Sequence, residues 1–242
     1  MAQRTAELQA ANEKLEELNR YKSQFVSNVS HELRTPLTNI KFLLELLVTG
    51  KPEKRQYYLE TVVRETDLLH SLIEDLLLLS RMDLGRLQLE LQAVELNQLA
   101  GQLAADRTEL FAERGLALET RLAPNLPRVQ ADPRMVKQVL TNLMTNAMNY
   151  TSRGGAVTVS TGVQSTWVTL SVGDTGPGIS DKELARLFER FFRGEAAHQS
   201  KAPGTGLGLA ICQEIAQRHR GQITVESQVG VGSVFTLWLP VG

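Results

Sequence analysis

The sequence predicts a multi-domain α and α+β protein: a helical hairpin forming a dimeric four-helix bundle, followed by a two-layer α/β sandwich. Three observations carry this. Up to about residue 90 the chain lacks strand alternation and is rich in Leu, Glu, Arg and Gln. Within that stretch "TGKP" (49–52) is a Gly/Pro breaker separating two long helical patterns. From residue 91 onward, strand-like and helix-like stretches alternate.

The first element is a heptad helix. Leu8, Leu15 and Val29, with Lys22 between, fall on one seven-residue ladder, and Ala11, Leu18 and Phe25 on the other. This is the a/d seam of a parallel coiled coil. It starts almost at the first residue with no capping signal, which predicts an upstream input module in a longer parent. The rhythm then becomes Val26, Val29, Leu33, Leu37, Ile40, Leu44, Leu47, one continuous apolar stripe. After the breaker, Leu59, Val62, Thr66, Leu69, Ile73 and Leu76 form the face of a second helix. A lone antiparallel hairpin cannot bury so broad a face, so two copies are expected to associate as a homodimer.

The second half reads as "LALETRL" (116–122), a helix over 133–150, strands at 156–163 and 167–174, a helix after Gly204, then "GQITVES" and "GSVFTLWL". The strands around "QST" form a hairpin, as do the last two around "QVGVG".

Composition limits the function. Net charge is -1 and the pI about 6.5, which argues against nucleic acid or an anionic membrane surface as partner. The single cysteine, Cys212, excludes an intramolecular disulfide and has no metal-ligand spacing around it. No apolar run approaches the roughly 18 residues of a membrane span, and no signal peptide opens the chain. These features predict a cytoplasmic chain without direct membrane insertion, whether or not a longer parent is anchored.

In "VSNVSHELRTPLTNI" (26–40), His31 sits beside Glu32, with Thr35 four residues on and Pro36 inside the helix. At 100° per residue His31 lies about 160° round the helix from both Val29 and Leu33, so it points away from the stripe. Pro36 offers no N–H to the Glu32 carbonyl and crowds it. Taken alone, the stretch fits an ordinary surface histidine.

Three stretches in the second half suggest a nucleotide site. "DTGPGI" (174–179) leaves a strand with glycines that allow close backbone approach. "GTGLGLAI" (204–211) opens directly into a helix, whose free N–H groups favour phosphate. Asn142 and Asn146 stand at i, i+4, able to offer oxygens to a hard cation or N–H donors to phosphate. Neither the dinucleotide fingerprint nor a Walker P-loop is present.

Taken together, these residues resemble the sensor histidine kinases of two-component systems over nearly the whole chain. "FVSNVSHELRTPL" is similar to the family's phospho-acceptor box and "NLMTNAMNYT" to its asparagine box. "DTGPGI" and "GTGLGLAI" are similar to its glycine boxes, and "LFERFFRG" (187–194) to its phenylalanine box. All five stand in the family's order.

The resemblance implies an acceptor domain over 25–88 and an ATP-binding domain of the histidine kinase/chaperone-type ATPase class over 89–242, after a signalling helix over 1–24. It implies that Asp174 accepts from the adenine amino group, that Tyr150 stacks on the base, and that Asn142 and Asn146 hold Mg2+ and phosphate. Arg193, after the aromatics Phe188, Phe191 and Phe192, would reach the terminal phosphate. Gly176 and Gly178 shape the adenine loop. Gly204, Gly206 and Gly208 close a lid, "GEAAHQSKAP" (194–203), that carries Lys201. His31 would take the γ-phosphoryl group with Glu32 as general base. It would pass the group to an aspartate of a response-regulator receiver domain, and Thr35 would assist hydrolysis of that phospho-aspartate. Asn149 stands where the family often has a lysine, which removes one positive charge. A dimeric ATPase of the same superfamily would not need "SHELRTPL", and a non-catalytic scaffold would not need the intact asparagine and glycine boxes.

Overall fold

Residues with helical rhythm run without a strong breaker to "TGKP", and they form one helix, α1 (Ala2–Thr49). A 3-10 turn over Pro52–Lys54 leads into α2 (Arg55–Asp83). The computed structural model describes residues 2–195 and 204–241. The heptad side chains Leu8, Ala11, Leu15, Leu18, Lys22 and Phe25 lie outside the described side chains, and Lys201 lies outside the described residues. The chain divides into two compact units, Met1–Glu74 and Asp75–Gly242.

In the first unit α1 stays helical through Pro36. Among the described side chains of this unit, the buried positions are Pro36 and Leu43 on α1, with Tyr58, Thr61 and Leu72 on α2. Asn39 Nδ2 donates to Glu65 Oε2 at 3.4 Å across the hairpin. Leu37, Leu44, Leu59 and Ile73 lie on the expected stripes, and within one chain they are 59%, 49%, 49% and 41% exposed, as a face too broad for one hairpin requires. The apolar sector is wider than one neighbouring helix covers, so the hairpin buries positions 36/43 and 58/72 and leaves 37/44 and 59/73 outside.

In the second unit, β1 (Gln92–Val94) precedes α3 (Leu96–Glu113), β2 (Ala117–Arg121), β3 (Val129–Ala131) and α4 (Pro133–Tyr150). Then follow β4 (Ala156–Gln164), β5 (Trp167–Asp174), α5 (Asp181–Leu184), α6 (Gly208–Arg218), β6 (Gln222–Gln228) and β7 (Gly232–Pro240). The five-stranded sheet has order β2-β4-β5-β7-β6, with β2 parallel to β4 and every other pair antiparallel. β1 and β3 pair separately.

Alternation along β5 buries Val168, Leu170 and Val172, joined by Val157 and Val159 of β4 and Phe235, Leu237 and Leu239 of β7. The opposing layer is helical, with α4 giving Val136, Val139, Leu140, Leu143, Met144 and Ala147. α6 adds Ile211, Cys212, Ile215 and Ala216. This is the expected two-layer sandwich. The β4–β5 hairpin is one residue tighter than expected, because Gln164 pairs with Trp167 and only Ser165 and Thr166 turn. α3, β1 and β3 were not assigned from the pattern.

Pro133 starts α4 and Asp132 caps it, accepting from Arg134 N at 2.9 Å. Asp132 also accepts from Glu90 N at 3.0 Å. Its own backbone N–H donates to Nε2 of buried His219 at 3.0 Å. The strand-to-helix turn that presents α4 is thereby tied to both ends of the domain's sequence. The last turn of α2 belongs to this unit as well, where Asp83 receives both Nη atoms of Arg190 at 2.6 and 2.7 Å.

Candidate functional site

His31 stands on α1 with 77% of its side chain exposed, and its Nδ1 is 3.9 Å from Glu32 Oε1. That is too long for a hydrogen bond but within ion-pair range. Nδ1 faces the carboxylate, so Nε2 is the ring nitrogen left toward solvent. Thr35 Oγ1 donates to the His31 carbonyl at 3.3 Å, a long and exposed bond on the same helical face. His31, Glu32 and Thr35 therefore stand together, as the one-turn spacing requires.

In the second unit, α4 carries Asn142, Asn146, Asn149 and Tyr150 on one half-buried face. Asn142 Nδ2 donates to Gly208 O at 3.2 Å, fastening α4 to the start of α6. Burial pushes the nearby Cys212 thiol of α6 up to about 12. Such a thiol is no nucleophile. Among the described residues the Asn146 carboxamide has no side-chain bond to the protein. A magnesium ion held by few protein oxygens and several waters fits Asn146 with the remaining oxygen of Asn142. No carboxylate or histidine cluster among the described residues competes for it.

β5 delivers Asp174 to the rim of the sheet. Its Oδ1 accepts from Gly176 N at 2.8 Å. Burial pushes its carboxyl up, against hydrogen bonds from the Gly176 and Ser233 backbones. Gly176 is required sterically, since a Cβ there would stand 2.7 Å from Asp174 Oδ1 and 3.1 Å from Tyr150 O. The loop thus closes Asp174 against the end of α4, and Gly178 packs on the backbone of Gln228. Burial raises the pKa of the Tyr150 phenol, and the charge of Arg193 opposes that shift.

Gly206 has φ +69, and a Cβ there would lie 2.7 Å from the Phe191 carbonyl carbon. Phe191 N donates to Gly206 O at 2.9 Å, clamping the phenylalanine stretch to the glycine turn. Gly208 opens α6. At Gly204 a Cβ would meet nothing within 4 Å among the described residues, so the steric demand of this turn rests on Gly206. Arg107 of α3 escaped the sequence reading. Its Nη1 donates to Thr145 Oγ1 of α4 at 3.4 Å, and no local motif marks it.

Residues 131–242 match the family model "Histidine kinase-, DNA gyrase B-, and HSP90-like ATPase", and residues 21–85 match "His Kinase A (phospho-acceptor) domain". Sensor histidine kinase WalK of Bacillus subtilis is 36% identical over 230 residues, covering 93% of this chain and 38% of that protein. Full-length ShkA in complex with AMPPNP superposes with a TM-score of 0.67 and 30% identity, over 88% of this chain and 45% of that one. Histidine kinase ThkA, solved in complex with response regulator protein TrrA, gives a TM-score of 0.71 and 25% identity over 90% of this chain and 61% of that one. The chain belongs to the sensor histidine kinase family. It spans about a third of the length of the curated relatives it matches. Among the described residues no helix is long and apolar enough to cross a membrane.

Proposed function

We propose that this chain is the kinase portion of a cytoplasmic signalling pathway, acting as an ATP-dependent, autophosphorylating protein histidine kinase. The observation that carries the reading is His31: an exposed imidazole with its Nδ1 turned to Glu32. Asn142, Asn146, Asp174 and the paired glycines of the second unit accompany it. Family membership and the AMPPNP complex of ShkA support ATP as phosphoryl donor. The ThkA–TrrA complex supports a response regulator as acceptor.

In this reading Asp174 accepts a hydrogen bond from the adenine amino group, Tyr150 covers the base, and Asn142 and Asn146 would hold Mg2+. Bound Mg2+ supplies charge neutralisation. Arg193 reaches the terminal phosphate, and Gly204, Gly206 and Gly208 form the turn that leads into α6. The Nε2 lone pair of His31 attacks the γ-phosphorus while the bond to the bridging oxygen breaks. ADP leaves with that electron pair, and the Nδ1 proton passes to Glu32. Positioning and neutralised charge supply most of the acceleration. The phosphoryl group then moves to a receiver-domain aspartate, and Thr35 orients the water that later hydrolyses it.

Residues 1–24 relay a signal from an upstream sensor module, 25–88 form the homodimeric acceptor domain, and 89–242 form the catalytic domain. The test is incubation with γ-labelled ATP and magnesium. Acid-labile, alkali-stable label is expected, absent from His31→Gln although that variant still binds ATP. Label retained on His31→Gln would remove His31 as acceptor.

A further inference from the structure

The face of α4 proposed to meet phosphate carries carboxamides, hydroxyls and a phenol but no cation of its own. Between Asn142 and the end of the helix, the side chains on and beside that face are Thr145, Asn146, Asn149 and Tyr150. A nucleoside triphosphate brings three to four negative charges to such a surface. Carboxamides, one magnesium ion and Arg193 at the terminal phosphate still leave part of that charge unmatched.

Arg107 is placed to match it. It projects from α3, and its guanidinium reaches across to Thr145 Oγ1 at 3.4 Å. Thr145 lies one turn before Asn149 and three residues after Asn142, so the charge arrives at the edge of the asparagine face. Its surroundings do not explain the charge otherwise. Among the described residues no carboxylate lies within ion-pair distance of Arg107, whereas Arg121, Arg128, Arg134, Arg186, Arg190 and Arg218 all have one. The guanidinium is half withdrawn from water, and burial pulls its pKa down, opposed only by the adjacent Asp106. A partly desolvated cation with a single neutral acceptor is disfavoured unless an anion completes its shell. A planar guanidinium suits phosphate oxygens in particular.

We infer that Arg107 is a phosphate-contacting residue of the nucleotide site, supplying from α3 the positive charge that Asn149 does not supply from α4. The inference rests on the reading of this domain as an ATP site. Its ligand is the polyphosphate of a nucleoside triphosphate, with adenosine held separately at Asp174.

The experiment is calorimetric titration of the full chain with adenosine, ADP and ATP, with and without magnesium. The proteins are the parent, Arg107→Gln, Asn149→Lys and the double variant. The expected result is that Arg107→Gln weakens ATP about tenfold or more, as loss of a charge-assisted contact does, and leaves adenosine unchanged. Adding Asn149→Lys restores ATP affinity toward the parent value, because it returns a cation one turn from Thr145. Parental ATP affinity in Arg107→Gln would overturn the inference while leaving the ATP site intact. So would equal loss of adenosine and ATP, or failure of Asn149→Lys to restore binding; these would make Arg107 a structural tie between helices. A parent that binds no ATP would overturn the underlying reading of the domain.

Discussion

At the residue scale, the assignment of Asp174 rests on how its surroundings treat its charge. Asp174 is partly buried and its carboxyl is held above its ordinary range by that burial. Its folded pKa therefore exceeds its unfolded one, so the folded state gains stability as pH falls through the folded value and bears a penalty above it. Binding runs the other way, since the ionised carboxylate is the stronger acceptor for the adenine amino group. Asp174→Asn should raise the urea midpoint of the nucleotide-free chain at neutral pH, yet weaken adenosine by roughly ten- to a hundredfold. Parallel urea and binding titrations check both signs, and unchanged adenosine affinity would remove Asp174 from the site. Thr35 is tested by kinetics. Its bond to the His31 carbonyl is long and exposed, so losing it should move stability by less than about 0.5 kcal/mol. Thr35→Ala should keep labelling at His31 and slow dephosphorylation of the cognate regulator by roughly tenfold or more. Equal phosphatase rates would leave Thr35 a structural residue beside Pro36.

At the element scale, the N-terminus of α4 decides where the asparagine face points. Burial alone would push the Asp132 carboxyl up, but hydrogen bonds from Glu90, Arg134 and Met135 outweigh it and hold the pKa down. A depressed carboxyl contributes stability above its unfolded pKa and loses it as pH falls through the folded one. Asp132→Asn keeps a capping oxygen and should flatten the acid limb of stability below about pH 4. Asp132→Ala should cost about 1–2 kcal/mol at neutral pH, because the Glu90 and Arg134 N–H groups lose their acceptor. Urea midpoints measured from pH 3 to 7 check both. Elements with strong contrast were legible in the sequence: α4, β5 and the terminal hairpin show clean periods and turn residues. α3 was not, because its buried face is built of Leu96, Ala100, Leu103, Ala104 and Phe111, with Gly101 inside the helix. Alanine and glycine give little hydrophobic contrast at any period. β1 and β3, at three residues each, carry no period at all. The same distinction governs the site. Asn142, Asn146, Asp174 and the glycines stand in contiguous motifs, while Arg107 reaches α4 only through tertiary packing of an element with no local signature.

At the scale of the whole molecule, the hairpin's unspent apolar surface is the main structural demand. Leu37, Leu44 and Val48 line one exposed face of α1 with Ile40 and Lys41 among them, and Val48 is 81% exposed. Covering this face by a second copy is the reading under which α1 and α2 become half of a four-helix bundle. Sedimentation of the full chain at micromolar concentration should give a dimer, and Leu44→Glu should give a folded monomer, since a carboxylate at that interface has no partner. An identical sedimentation coefficient for the two would place the interface elsewhere. Phosphoryl transfer centres on one atom, the His31 ring nitrogen that faces solvent while Nδ1 faces Glu32. Phosphorus NMR of the chain after reaction with ATP, kept at alkaline pH and combined with fragmentation of the 26–40 segment, locates the phosphoryl group. A single phosphoramidate on Nε2 of His31 is the expected result. Phosphate on a serine, threonine or aspartate, or on another histidine, would contradict it.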